Sequence, residues 1–255
     1  VLAVYPHDGN AYTQGLLYHD GKLYESTGKR GESSLREVDL TTGTVLRQVD
    51  VTRSKLLNNT IFTQPDYFAE GLALVDDKLI QLTWTEQQAF VYDLATFEKT
   101  ATLSYEGQGW GICSDGQYLY MSDSTSYLDL RDLNTFDLIV SFAVLYTTID
   151  PSTNFAQQTL IPAQKLNELE CVGDTIYANL WNTDLIAQID KRNGNVLALI
   201  DCTGLLTPEE TAQARQRDSG ATLNGIAYNP DTQTFYITGK MWDKLFEVVF
   251  VPRPV

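Results

Sequence analysis

Short apolar runs of strand length recur along the chain, and five of them open in the same way. Each opening is a tripeptide of any residue, then Gly or Glu, then Leu or Ile. The copies are Gln14-Gly15-Leu16, Glu70-Gly71-Leu72, Trp110-Gly111-Ile112, Asn167-Glu168-Leu169 and Asn224-Gly225-Ile226, their lead residues spaced by 56, 40, 57 and 57. A first strand pattern follows each lead. It runs into a turn rich in Asp or Gly, such as His19-Asp20-Gly21 or Ser114-Asp115-Gly116, and then into a second strand pattern. The second runs end on Gly28, Trp84, Ser124, Trp181 and Lys240. In the first four copies a third run ends on Asp39, Asp93, Asp132 or Asp190, and a fourth begins near Thr44, Glu98, Asp137 or Asn195.

Self-similarity at this period, with several short strands per copy, predicts an all-β fold, a five-bladed β-propeller. We expect a single domain over 1–255, with blades at approximately 14–51, 70–104, 110–144, 167–202 and 224–251. The fifth copy supplies only three strands before Val255. Residues 1–6 are therefore expected to pair with the strand near 244–250 and close the ring, which removes its sheet edges. Insertions at roughly 52–69, 145–165 and 203–222 each precede a lead residue, so long loops should frame one face. The last contains Thr207-Pro208-Glu209-Glu210, an N-cap, a first-turn proline and an N3 glutamate that predict a short helix.

Composition narrows the function classes. The chain is 43% hydrophobic with 14 Tyr and 10 Phe, which suits strands and a sizeable core. No apolar run is long enough to span a membrane, and no membrane partner is expected. A start at Val1 without Met fits a mature secreted or periplasmic chain, or a trimmed piece. The net charge of −15 argues against a nucleic-acid partner, which would need clustered Lys and Arg. It serves solubility first and steering of cations second. Cys113, Cys171 and Cys202 lack metal-ligand spacing and leave two options open: one disulfide with a free thiol, or three buried thiols. A monomer is expected.

The chemistry should gather where two registers meet. First and second strands are antiparallel neighbours, so the leads Gln14, Glu70, Trp110, Asn167 and Asn224 lie beside the second-strand ends. One mouth would then hold a carboxylate, an ammonium, three indoles and several amides, as small-ligand sites do. Trp242 falls outside both registers and reads as packing. Other constellations are absent. There is no Gly-x-Ser-x-Gly elbow, only His7 and His19 could act as histidine bases, and no phosphate-binding glycine loop occurs. Asn58-Asn59-Thr60 matches a glycosylation sequon.

Several strings at these positions resemble the plant-type glutaminyl cyclases. They are Tyr5-Pro6-His7-Asp8, Tyr12-Thr13-Gln14-Gly15-Leu16, Phe68-Ala69-Glu70-Gly71-Leu72, Leu82-Thr83-Trp84, Gly109-Trp110-Gly111, Leu166-Asn167-Glu168-Leu169-Glu170, Ala178-Asn179-Leu180-Trp181, Leu223-Asn224-Gly225-Ile226 and Thr238-Gly239-Lys240. The likeness spans all five blades. It implies a five-bladed propeller that converts the N-terminal glutamine of a peptide or protein into pyroglutamate and releases ammonia. It also implies Glu70 as acid/base, Asn167 and Lys240 as carbonyl-polarising groups, and a pocket of Gln14, Phe68, Trp84, Trp110 and Trp181. Tyr12 stands where a Phe is common in the family. Asn224 completes the expected substrate-binding set. No cofactor or metal is expected for catalysis, although a structural divalent ion on the axis is compatible with this reading.

Two rival readings use the same residues. Glu70, Asn167 and Asn224 could ligate a divalent ion, as in lactonase-type propellers. Against this, Lys240 would face that ion, and no lead position supplies a second carboxylate. A non-catalytic peptide-binding propeller would need no proton transfer, and Glu70 and Lys240 would then be replaceable.

Overall fold

The computed structural model describes residues 1–51, 55–57, 60–62, 66–149 and 158–252. Its main strands form five four-stranded antiparallel sheets. Blade 1 comprises Thr13–His19, Lys22–Thr27, Ser34–Asp39 and Val45–Asp50. Blade 2 comprises Ala69–Val75, Lys78–Thr83, Gln88–Asp93 and Lys99–Ser104. Blade 3 comprises Ile112–Ser114, Tyr118–Ser122, Tyr127–Asp132 and Leu138–Ala143. Blade 4 comprises Leu166–Val172, Thr175–Leu180, Leu185–Asp190 and Val196–Asp201. Blade 5 takes Leu223–Asn229, Thr234–Gly239 and Lys244–Val248 from the C-terminal part, and Ala3–Pro6 as its outer strand. The inner strands touch one another in the order 1-2-3-4-5-1, so the ring is closed.

Burial falls from axis to rim. The inner strands of blades 1 and 2 are buried for most of their length, whereas Lys99–Ser104 and Leu138–Ala143 are largely exposed. The core is divided among the five blade interfaces. Leu35 and Leu72 meet between blades 1 and 2, and Leu82 and Leu119 between blades 2 and 3. Leu128 and Leu166 meet between blades 3 and 4, Ile186 and Leu223 between blades 4 and 5, and Leu16 and Ala227 between blades 5 and 1. Trp242 is buried among Leu223, Ile226 and Phe246, in a packing role.

The third-strand aspartates organise the next turn. Asp39 accepts the Thr41 and Thr42 amides, Asp132 those of Asn134 and Thr135, and Asp93 that of Thr96. An aspartate that bonds the backbone two or three residues on stabilises a turn directly.

The closing strand pairs Ala3 with Glu247 and Pro6 with Lys244. The contact continues past the strand. His7 donates from Nδ1 to the Trp242 carbonyl at 2.7 Å and bonds Glu25 through Nε2 at 3.1 Å. Burial works to lower the His7 pKa, but the charge and hydrogen bond of Glu25 outweigh it and the net shift is upward. Asp8 pairs with Arg36 at 2.9 Å. Residues 1–8 thus tie blade 5 to blade 1 by main chain, ion pair and side chain together.

The helix Pro208–Arg217 starts as the sequence predicts, with Thr207 as N-cap and a reciprocal bond to Glu210. Two features were not legible. The other insertions carry hairpins, Lys55–Leu57 with Thr60–Phe62 and Leu145–Ile149 with Gln158–Pro162. The strand of blade 3 begins only at Ile112, after its lead residue. Asn58 and Asn59 of the sequon lie outside the described residues.

Of the two cysteine options, the structure contains the disulfide. Cys113 bonds Cys171 and joins the inner strands of blades 3 and 4, while Cys202 is free and buried. With a sequence separation of 58, restriction of the unfolded chain is worth about 4 kcal/mol.

Candidate active site

Four of the five lead residues sit in β-bulges. The pairing shifts between Thr13 and Gly15, Ala69 and Leu72, Leu166 and Leu169, and Leu223 and Ile226. A bulge re-aims the side chain it contains, and the four contain Gln14, Glu70, Asn167 and Asn224. The same ladders pair Thr13 with Thr27, Ala69 with Thr83, Leu166 with Leu180 and Leu223 with Gly239. Each of those partners is followed at once by a second-strand end: Gly28, Trp84, Trp181 or Lys240. The amides of these four bond the carbonyls of Tyr12, Phe68, Lys165 and Thr222. The two registers therefore meet at one end of the blades.

The glycines of the repeat explain the close approach. A Cβ on Gly15 would stand 2.5 Å from the Leu72 nitrogen, one on Gly71 2.7 Å from the Ile112 nitrogen, and one on Gly111 2.1 Å from the Asn167 carbonyl oxygen. Only glycine lets each inner strand rest on the backbone of the next. In blade 4 the position is Glu168. Its carboxylate accepts the amides of Leu16 in blade 1 and Ile226 in blade 5, at 3.3 and 2.8 Å. Blade 1 is not a neighbour of blade 4, so Glu168 fastens the ring across its centre. Burial, with the nearby charge of Glu170, pushes its carboxyl well above the usual range against those two donors.

Glu70 is 4% exposed and accepts a hydrogen bond from Gln14 Nε2 at 3.0 Å. Burial pushes its carboxyl well above the ordinary range; Lys240 opposes the shift and Glu86 adds to it. Lys240 is 3% exposed, and its Nζ stands 4.9 Å from the centre of the Tyr12 ring. Burial lowers its pKa to about 8, opposed by Glu70 and Asp218. Asn224 donates to the Thr13 carbonyl at 2.9 Å and to Gln14 Oε1 at 3.3 Å. Neither polar atom of the Asn167 side chain has a hydrogen-bond partner among the described residues, although the residue is only 1% exposed. Its main chain is fixed: Ser122 Oγ donates to the Asn167 carbonyl at 2.8 Å and accepts the Gly111 amide at 2.7 Å.

Aromatic side chains stand at the same end of the blades. Tyr12 meets Phe68 edge to face at 6.1 Å, Phe68 meets Trp84 at 5.7 Å, and Trp110 meets Trp181 at 5.6 Å. Gly28 makes room for Phe68, since a Cβ there would lie 2.5 Å from its ring. One residue that sequence reasoning missed joins two of these side chains. Gln108 Oε1 accepts both the Trp84 and the Trp110 indole N–H, at 2.7 and 3.0 Å. Gln108 belongs to neither register, and only its place two residues before Trp110 could have drawn attention to it. The Tyr12 hydroxyl lies beside Gly220, and burial with the charges of Asp218 and Glu70 pushes its pKa up to about 12.

All ten residues singled out from the sequence thus fall at the same end of the inner blades. A concavity of about 800 Å³ elsewhere, beside Val196–Asp201 and Val248–Pro252, is lined by none of them. Among the described residues, no group of three or more His, Cys, Asp or Glu is placed to hold a metal.

The sequence model of the glutamine cyclotransferase family matches residues 1–250. The chain belongs to that family. The glutaminyl-peptide cyclotransferase of Arabidopsis thaliana is 36% identical over 251 residues, which cover 97% of this chain and 70% of the relative. The crystal structure of Myxococcus xanthus glutaminyl cyclase aligns with a TM-score of 0.75 at 32% identity, covering 97% of this chain and 94% of that one. The cyclotransferase family thus accounts for the repeat and the bladed fold together.

Proposed function

We propose that the protein is a glutaminyl-peptide cyclotransferase acting on peptides and proteins that begin with glutamine. The observation that supports this reading best is the buried, mutually interacting pair of Glu70 and Lys240, at the same end of the blades as an Asn167 amide without a hydrogen-bond partner among the described residues, in a chain of the cyclotransferase family. The substrate's glutamine side chain enters among the aromatic side chains. Its α-amine nitrogen attacks its own side-chain amide carbon, and the carbonyl oxygen becomes an oxyanion. Lys240 and the Asn167 amide stabilise that oxygen, as preorganised donors do. Glu70 takes the proton that the attacking nitrogen loses. It passes that proton to the amide nitrogen, the C–N bond breaks, and ammonia leaves behind a pyroglutamyl lactam. Glu70 ends as it began.

The perturbed carboxyl suits this task. A carboxylate at its ordinary value is a poor base towards an amine of about 7.7–8.0. Burial raises the Glu70 carboxyl above its ordinary value, which makes its carboxylate a stronger base. The ring closure is intramolecular, so holding the side chain folded supplies much of the acceleration. Phe68, Trp84, Trp110 and Trp181 do the holding and keep water from the amide carbon. Gln14 and Asn224 fix Glu70 from behind through a chain of hydrogen bonds.

Lys240 supplies the positive charge at the developing oxyanion, so catalysis is read as independent of a metal. Release of ammonia from a Gln-initiated dipeptide is expected at the same rate with and without EDTA. Abolition of turnover by EDTA in a protein that stays folded would favour the metal-dependent hydrolase. The Cys113–Cys171 disulfide supports a secreted or periplasmic location, because such bonds persist in oxidising compartments. We read the working form as a monomer without a membrane partner; no helix among the described residues is long and apolar enough to cross a membrane.

A further inference from the structure

The aromatic side chains of the site are not equally covered. Trp181 is 36% exposed, while the other pocket aromatics are half-buried and the polar groups are buried. Trp181 is thus the most exposed of these aromatics, and we place the exit of the chain that follows a bound glutamine beside it.

Two cations at this end of the blades are paired with carboxylates. Lys29 is paired with Asp218 at 2.8 Å, and Arg30 with Glu86. Asp123 is engaged by the Thr125 amide and hydroxyl. Lys165 is exposed, and its Nζ lies 5.3 Å from the centre of the Trp181 ring; it has no carboxylate partner among the described residues. Its backbone is fixed on both sides. Its amide donates to Ser124 and its carbonyl accepts from Trp181, at 3.1 and 2.9 Å, with φ at +63°. A non-glycine residue in the left-handed region is uncommon, and here that geometry turns the chain so that the lysine lies over the indole. The ammonium thus stands beside the Trp181 ring, in a chain of net charge −15.

We propose that Lys165 and the exposed face of Trp181 form a subsite for the residue after the glutamine, and that it favours a carboxylate there over an ammonium. The inference rests on the cyclotransferase reading and adds a substrate class to it. A carboxylate arriving over Trp181 meets the Lys165 ammonium, while a second ammonium meets repulsion. The negative field of the whole protein acts in the opposite sense, drawing cationic peptides from a distance, but physiological salt screens it beyond about 8 Å.

The test compares kcat/KM for two peptides that differ only in Glu or Lys after the initial glutamine, at physiological ionic strength. The readout is the ratio of the two values. An exposed charge contact is worth up to about 1 kcal/mol. Lys165→Gln should therefore lower the Glu-to-Lys ratio about fivefold, and Lys165→Glu should lower it about fivefold again. Lys78→Glu is the control. It makes the same charge change at the exposed turn between the first two strands of blade 2, at the far end from Trp84. It should move the ratio by less than about twofold, as a distant screened charge does. A ratio that stays within about twofold across the Lys165 series, while both peptides are still cyclised, overturns the subsite and leaves the activity standing. An equal response to Lys78→Glu also overturns it and assigns the preference to the overall field. If neither peptide is cyclised by the wild-type protein, the activity itself is wrong.

Discussion

Replacing Glu70 by Gln lowers the rate of cyclisation by two to four orders of magnitude on this account, while the protein still binds Gln-initiated peptides. The variant keeps the shape of the side chain and an oxygen that can accept from Gln14 Nε2, so the local hydrogen bond survives. It loses the only carboxylate among the ten site residues. General acid–base catalysis is worth typically about 10²–10⁴-fold, and here a single group serves both the attack and the departure of ammonia. The split between kcat and KM is the informative reading: kcat collapses and KM moves little. A Glu70→Gln protein that keeps more than about a tenth of the wild-type kcat, well inside that range, would show that the proton travels by another route. Neutral Lys240 would be the next group to examine.

Lys240→Met should separate catalysis from stability. Turnover should fall by about 10²–10³, the usual consequence of deleting one oxyanion donor. The protein should nevertheless become more stable at pH 7. Lys240 has its pKa lowered to about 8 in the folded chain from an ordinary value of 10.5. The folded state therefore favours the neutral amine, and carrying the charge costs stability. That cost is fully present below pH 8, shrinks as pH rises, and is gone above the unfolded value of about 10.4. A shift of this size corresponds to roughly 3 kcal/mol, an upper bound on what the apolar side chain recovers. Urea unfolding at pH 7 and again near pH 10.4 would measure the difference. A Met variant less stable than wild type at pH 7 would mean that the ammonium contributes net stability through Glu70 and Asp218. The same group predicts the alkaline limb of the wild-type profile: kcat/KM should decline as pH rises through about 8 and the ammonium is lost.

The repeat made the architecture readable because a propeller is assembled from near-identical local units. Tripeptide, turn and second strand all lie within about one strand pair of each other, so local pattern carries them. The closing strand was legible by subtraction, since the fifth copy lacks a fourth strand and Ala3–Pro6 supplies it. The helix was legible from its own cap, Thr207 with Glu210. Gln14, Glu70, Asn167 and Asn224 followed from register, because the bulges hold them at equivalent places in their blades, whereas Tyr12 and Phe68 came from the family resemblance alone. Contacts that cross between blades were not legible. The Cys113–Cys171 bond depends on how blades 3 and 4 lie side by side, and three cysteines without motif spacing say nothing of that. Gln108 serves two indoles from different blades and belongs to no repeat position. Glu168 left a trace that could have been followed. It is the one charged residue in a register otherwise filled by glycine, and its carboxylate spans the centre to Leu16 and Ile226. The late start of blade 3 has a similar origin, for Trp110 and Gly111 bond Ser122 without entering the regular ladder.

The central claim is that the substrate's own amine, and not water, attacks the glutamine side chain. The most direct test runs the reaction in water enriched in the heavy oxygen isotope and weighs the peptide product. Attack by the amine yields a pyroglutamyl peptide that contains no solvent oxygen, with one ammonia released per product. Attack by water yields a glutamyl peptide carrying one heavy oxygen, also with one ammonia. The account predicts the unlabelled pyroglutamyl product. A labelled glutamyl product would contradict it and make the protein an amidase.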